Sequence, residues 1–356
     1  MQQVHKGRGA TLNPAGRFER HGQEIVDDGW GTIEEVMAAP GPATTVQPDR
    51  SRTVIARNDS PDIGFDASIN PYRGCEHGCI YCYARPFHAF LGLSSGTDFE
   101  TRIFAKNDAA KMLRAELARP GYRPEPIALG AATDPYQPVE RRLRITRSIL
   151  EVLADARHPV GIVTKSAGVV QDIDLLQRLA GDGLVRVQIS VTTLDPELAL
   201  AMEPRCSAPA NRLRAIRTLA AAGIPVGVNV APVIPGLTDT EIEAIVARAA
   251  EAGADAVFWT MVRLPFEVKD LFRAWLETHR PGRAEHVLSL IRQARGGRLN
   301  DPDFGSRMRG EGPYARLIAD RFRLAMVRYG LARRRMPPMR VDLFRPPEPS
   351  GQLSLF

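Results

Sequence analysis

Residues 185–193, VRVQISVTT, form an apolar, β-branched run that closes on hydroxyl side chains, the composition of a buried strand leading into a polar loop. The same kind of run recurs on both sides of it. PIALGAAT (126–133) and PVGIVTKS (159–166) precede it, and IPVGVNVAPVI (224–234) and DAVFWTMV (255–262) follow. Stretches with helical periodicity separate these runs: Ile145, Ile149, Leu150 and Leu153 share one face, as do Leu213, Ile216 and Ala220. Thr238 followed by Glu241 reads as a capping box ahead of IEAIVARAAEAG. Strand and helix thus alternate every 25 to 35 residues. With a short strand near Ala67–Asn70, they make about six βα units, a partial (β/α)6 barrel left open because a closed one needs eight.

In such a fold the loops after the strands carry the chemistry. Those positions hold a cysteine loop, Thr133-Asp134, Lys165-Ser166, Ser190-Thr192-Thr193 and Asn229, which should converge on one mouth. Any one of the hydroxyl residues taken singly also fits a capping or turn role.

Length and charge bound the rest. A chain of 356 residues with 44% hydrophobic side chains can bury a substantial core. Residues 1–60 show no period and read as an irregular leader, 61–262 as the barrel, 263–345 as a basic, mainly helical extension and 346–356 as a flexible tail. The leader has no apolar core of the signal-peptide kind, and no run is long enough to span a membrane, which implies a cytoplasmic protein with no membrane partner. From Met261 onward there are 19 Lys plus Arg against 10 Asp plus Glu, a net of +9 that leaves −3 for the rest of a chain carrying +6. Nearly all of this surplus is arginine, suited to phosphate, although a solvated basic face has the same composition.

Three of the four cysteines lie in GCEHGCIYCYARP (74–86), spaced Cys75-x3-Cys79-x2-Cys82. Four cysteines in a chain of this size make no disulfide framework, so metal binding or chemistry is the better reading. Three thiolates on one short loop, eased by Gly74 and Gly78, can hold three corners of a [4Fe–4S] cubane and leave one iron open to the amino and carboxylate groups of a methionine-type ligand. A zinc site from these cysteines with His77 or Cys206 is the rival, yet zinc prefers paired CxxC knuckles or an added His at finger spacing. Simple packing of the cysteines in a core conflicts with a loop this rich in Gly, Glu, His and Arg, which is expected not to be buried.

The cysteine spacing, Tyr83 directly after the third cysteine, ATDPYQPVE (132–140), TKS (164–166) and ISVTTLDPELALAMEPR (189–205) together resemble radical S-adenosylmethionine (SAM) proteins, specifically the spore-photoproduct-lyase-like branch often described as DNA repair photolyases. The resemblance runs from about Asn70 to Val262 and implies a [4Fe–4S] cluster on Cys75, Cys79 and Cys82, with SAM as second cofactor. It further implies Thr133 and Asp134 near the SAM amino group, Lys165 on its carboxylate, Ser190 at its ribose or methionine moiety and Tyr83 lining the cavity. The reaction implied is reductive cleavage of SAM to methionine and a 5′-deoxyadenosyl radical, with electrons from a separate donor. Spore photoproduct lyase proper returns hydrogen from a cysteine near the end of its second strand. Here LGAATDPYQP (129–138) has none, so Cys206 is either a catalytic thiol in another loop or a structural cysteine, and thymine-dimer repair does not follow.

The chain ends RPPEPSGQLSLF, in which Gln352, Leu353, Ser354, Leu355 and Phe356 resemble the peptide by which bacterial replication and repair proteins dock on the sliding clamp. A last strand folded onto the barrel is the alternative. DNA or RNA is the substrate class this points to. A cluster- or zinc-containing DNA-binding protein without catalysis, and a radical SAM enzyme for a small molecule or protein, are the other readings.

Overall fold

The computed structural model describes residues 4–19, 41–334 and 336–348. Ten strands fall within them: β1 (Thr45–Pro48), β2 (Ile55–Arg57), β3 (Ala67–Ile69), β4 (Tyr72–Arg73), β5 (Arg102–Ala105), β6 (Ile127–Leu129), β7 (Val160–Thr164), β8 (Val185–Ser190), β9 (Val226–Val233) and β10 (Ala256–Met261). Seven of them form one open sheet in the order β10-β9-β8-β7-β6-β3-β2. β3 and β6 to β10 run parallel, and β2 closes the far edge antiparallel to β3. The register places Ile127 beside Val160, Val160 beside Val185 and Val187 beside Val226, so branched side chains lie in rows across the sheet. A second sheet of three short strands, β1-β5-β4, carries the start of the cysteine loop on β4.

Helices cover the sheet as the spacing requires. Ile145–Asp155 buries Ile145, Ile149, Leu150 and Leu153, the face read from the sequence. Pro209–Ala221 is rotated from its expected face: Arg212, Ala215, Ile216 and Leu219 are buried, while Leu213 and Ala220 are only half-buried. Arg212 takes up the buried position because it finds a buried carboxylate there, Glu203. The expected capping box at Thr238 does not form. Glu241 instead accepts from Thr193 Oγ1 and from Leu194 N at 2.7 Å, tying the loop after β8 to the start of the helix Ile242–Glu251. Thr238 Oγ1 accepts from Ile234 N at 2.9 Å. Asn229, expected in a loop, lies within β9 and donates to Gln188 Oε1 at 3.0 Å.

The extension belongs to the same body as the barrel. Helix Gly312–Arg328 puts Ile318 and Phe322 into the main core, and helices Val268–His279 and Ala284–Gln293 build a second core with Ile80 and Tyr81 of the cysteine loop. The chain then returns beneath the sheet. Arg340 N donates to Gly183 O at 3.0 Å and Arg345 N to Ala156 O at 2.8 Å, both acceptors just ahead of the strands they precede. The leader also has structure: β1 and β2 each join one of the two sheets, and residues 8–13 bond to Asp98 and Glu100. No helix among the described residues is long and apolar enough to cross a membrane.

Candidate active site

The cysteine loop owes its shape to glycine and to one arginine. Gly74 and Gly78 have φ of 77° and 67°, the left-handed region that disfavours any side chain. A Cβ on Gly78 would also stand 2.8 Å from Glu100 Oε2, and one on Gly9 would stand 1.9 Å from Gly78 O, so the leader presses on the loop where only glycine fits. Arg85 spends all five donors here: Nε on Cys79 O (2.9 Å), Nη1 on Ser95 O (3.1 Å) and Gly96 O (2.9 Å), and Nη2 on Gly78 O (3.0 Å) and on Glu100. Glu100 in turn accepts Gly9 N and Ala10 N, each at 2.9 Å.

The loop is buried, against the expectation from its polar composition. Residues 74–81 are all interior, and each charged side chain among them has its partner. Glu76 meets Arg205 at 3.0 Å and accepts Val139 N at 2.7 Å. His77 Nδ1 stands 3.2 Å from Asp134 Oδ2. Polar side chains can be interior when their hydrogen bonds are complete, which composition alone does not reveal.

Asp134 is a junction. Its Oδ1 accepts Tyr136 N (2.9 Å) and Thr164 Oγ1 (2.7 Å), and its Oδ2 accepts Lys165 N (2.7 Å) and faces His77. Burial pushes this carboxyl up, but His77 and the other donors outweigh it and hold the pKa at about 2. Both oxygens are therefore already occupied. Thr133 donates its hydroxyl to Tyr72 O at 2.9 Å and keeps its oxygen lone pairs as acceptors. Ser190, buried at the end of β8, has its carbonyl bound by Arg212 Nη1 at 3.1 Å. Lys165 reaches back over the loop, its Nζ 5.7 Å from the centre of the Tyr81 ring, with no carboxylate partner among the described residues. Tyr83 is 45% exposed and donates its hydroxyl to Ala131 O.

The thiols form one electrostatic group. Burial pushes Cys75 and Cys82 up, and the charge of Cys79 adds to both. Cys79 is held down by a hydrogen bond from Cys206, against its burial, and by Lys165. Cys206 comes from the distant loop to within 3.6 Å of Cys79, Sγ to Sγ, so all four cysteines of the chain share this site. A cavity of about 250 Å³ beside them is lined by His77, Ser166, Arg205, Cys206 and Asn211 among others. A larger hollow of about 740 Å³, between Trp259 and the helix Gly312–Arg328, touches none of the candidate residues.

This donor set fits a cubane better than a single metal ion. Among the described residues no three His, Cys, Asp or Glu side chains are gathered to hold one ion, and His77 is engaged with Asp134. A cubane spreads its thiolates over three irons, and a nearby cation such as Lys165 favours their deprotonated form.

Sequence reasoning missed Arg85, Glu100, Glu203 and Arg212. Glu203 accepts the hydroxyls of Tyr81 and Thr192 and pairs with Arg212, with side-chain exposure of 0% and 2%. Its signal was in view, since Glu203 lies in the AMEPR segment that carries part of the resemblance.

Residues 69–249, half of the chain, match the radical SAM superfamily. The chain belongs to that superfamily. It is a radical SAM enzyme, and the cofactors of the superfamily are a [4Fe–4S] cluster and SAM. An uncharacterised protein of Mycobacterium tuberculosis is 37% identical over 231 residues, 64% of this chain and 68% of its own. An uncharacterised protein of Methanocaldococcus jannaschii is 27% identical over 173 residues, 49% of this chain and 62% of its own. The solved structure of spore photoproduct lyase complexed with dinucleoside spore photoproduct shares the radical SAM fold seen here, with a TM-score of 0.56 at 17% identity over 81% of this chain and 79% of that one.

Proposed function

We propose that Cys75, Cys79 and Cys82 hold the cluster of this radical SAM enzyme, that Lys165 pairs with the carboxylate of SAM, and that the substrate is nucleic acid. The observation that carries the first part is the buried loop on which three mutually interacting thiols lie beside an unpaired ammonium. When bound, the two cofactors supply methionine and a 5′-deoxyadenosyl radical by one-electron reduction of SAM from an external donor.

The chain's own residues supply position. Arg85 and Glu100 shape the loop, and burial of residues 74–81 keeps water from Cys75 and Cys79, while Cys82 is half-buried. Asp134 acts as an orienting group: it fixes His77, Thr164 and the backbone of Lys165, which leaves Thr133 Oγ1 to accept from the SAM amino group. Ser190 offers a hydroxyl at the strand end for the ribose. Tyr83 lines the substrate side, and Cys206 lies on the cluster side, against Cys79. Support for a nucleic-acid substrate comes from the net +9 of residues 261–356, from a fold shared with a lyase whose solved structure holds a dinucleoside photoproduct, and from the clamp-like peptide Gln352–Phe356, which lies outside the described residues. In this reading that peptide delivers the enzyme to the bacterial sliding clamp.

Anaerobically reconstituted protein should hold about four irons per chain and form 5′-deoxyadenosine in a product-linked manner with one member of a panel of damaged DNA and RNA. Cys206→Ala should keep its iron. Lys165→Ala should keep its iron too, while weakening the effect of added SAM on the cluster's EPR spectrum. Loss of iron in Cys206→Ala, or stoichiometric zinc with no uptake of iron, sinks the assignment of ligands. An unchanged SAM titration removes Lys165 from the site.

A further inference from the structure

Among the described residues six phenylalanines are exposed by 43% or more, against the usual interior preference of this residue. Four of them, with Tyr83, fall into three groups of contacts that neighbouring positions in the sequence connect. Phe90 and Phe18 have ring centres 5.3 Å apart. Arg17 lies 5.6 Å from the centre of Phe18 and 4.1 Å from that of Phe266. Three residues before Phe266, Arg263 lies 5.6 Å from Tyr83, the neighbour of Cys82, and its Nη1 is 3.8 Å from Met308 Sδ. Next to Met308, Arg307 covers Phe304 at 4.5 Å. Phe266 is also held at φ of 49°, a costly conformation for a bulky side chain.

The charges in this belt are unequal. Arg17 pairs with Glu267 at 2.7 Å and Arg307 with Asp62, which fixes both guanidinium groups against their rings. Arg263 has no carboxylate in hydrogen-bond contact among the described residues, and its Nε is buried without an acceptor. Burial and the charge of Arg307 push its pKa down, against smaller opposing effects of Tyr83, Asp62 and Asp301, so an incoming anion would relieve it.

We propose that this belt of rings and arginines is the surface on which the enzyme binds single-stranded nucleic acid, with unpaired bases stacked on Phe266, Phe304 and Tyr83 and a backbone phosphate on Arg263. Rings alternating with guanidinium groups suit a strand in which bases alternate with phosphates; an apolar protein partner would instead ask for contiguous rings. A duplex hides the base faces that the rings require. Of the flanking carboxylates, Asp62 is held by Arg307, while Glu267 stands beside Arg17 with no hydrogen-bond donor on either oxygen, so the belt itself does not separate ribose from deoxyribose. The inference rests on the nucleic-acid reading above and gives it a location.

The test uses the full-length, cluster-loaded protein and a fluorescein-labelled oligodeoxynucleotide of about twelve nucleotides, a length within the usual site size of such surfaces. Its affinity is measured by anisotropy at several salt concentrations, with iron content and melting temperature recorded for every variant. Phe266→Ala and Phe304→Ala remove rings 60% and 59% exposed, so both should fold, and each should weaken binding about 5- to 100-fold. Arg263→Gln should weaken it as well and reduce the slope of log affinity against log salt by about 0.7. The matching RNA strand should respond to the same three changes, and the DNA duplex should bind more weakly than either single strand. Strand binding by the parent protein that ignores all three changes overturns the belt and leaves the nucleic-acid reading standing. Tighter binding of the duplex overturns the choice of a single strand, and no binding of any nucleic acid by the parent protein overturns both readings.

Discussion

Two buried Arg–Glu pairs flank the cysteine loop, and they are built differently. In Arg85–Glu100 both side chains are fully buried, and nearly every partner is main chain: four carbonyls around the loop on the arginine side and two leader N–H groups on the glutamate side. In Arg212–Glu203 the burial is as deep, but the carboxylate gathers side chains, the hydroxyls of Tyr81 and Thr192, while the arginine binds Ser190 O and Ser207 O. The first pair shapes a backbone. The second places the aromatic ring over which Lys165 lies, together with the end of β8.

If that contrast holds, damage to the two pairs should register on different measurements. The largest effect belongs to Arg85→Met, which leaves the Glu100 charge and four carbonyls buried without their donor. About 3–5 kcal/mol of stability should be lost, and iron uptake on reconstitution should fall with it. Full iron content in a variant with lowered melting temperature would break the comparison, because the loop would then hold its shape without the arginine. Next comes Glu203→Gln, which keeps an acceptor for one hydroxyl but strips Arg212 of its buried counter-charge. Stability should fall by about 1–3 kcal/mol, iron should stay near full occupancy, and the SAM titration should shift. Iron loss equal to that of Arg85→Met would erase the distinction. The smallest effect is expected of Tyr81→Phe, which deletes one hydroxyl and leaves Glu203 paired with Thr192 and Arg212. A cost of about 1 kcal/mol with unchanged iron would sharpen the assignment of this pair to side-chain placement, and a greater cost than that of Glu203→Gln would contradict it.

What could be read in the sequence was local or periodic. Branched residues at strand spacing gave away β6 to β10, because each run is long enough to be interior on its own terms, and the face of Ile145–Asp155 followed from its apolar residues alone. The cysteine spacing likewise carries its chemistry within eight residues. The features that stayed hidden depend on pairing across distance. The helix Pro209–Ala221 turns away from the face of Leu213 and Ala220 because Arg212 meets the buried Glu203. Glu241 formed no capping box because Thr193 and Leu194, far behind it in the chain, offered donors first. The leader looked irregular, yet Gly9 and Ala10 meet a carboxylate ninety residues on, and no local pattern records that. Cys206 was placed in another loop, correctly by sequence, while its sulfur reaches Cys79.

The contacts of residues 9, 10, 85, 100, 203 and 212 around the cysteine loop also set an order of events during synthesis. A nascent chain that has exposed its three cysteines but not yet Glu203 and Arg212 has the ligands without the frame, and its leader waits for Glu100. The frame around the loop is complete only once residue 212, well over half-way along the polypeptide, has been made.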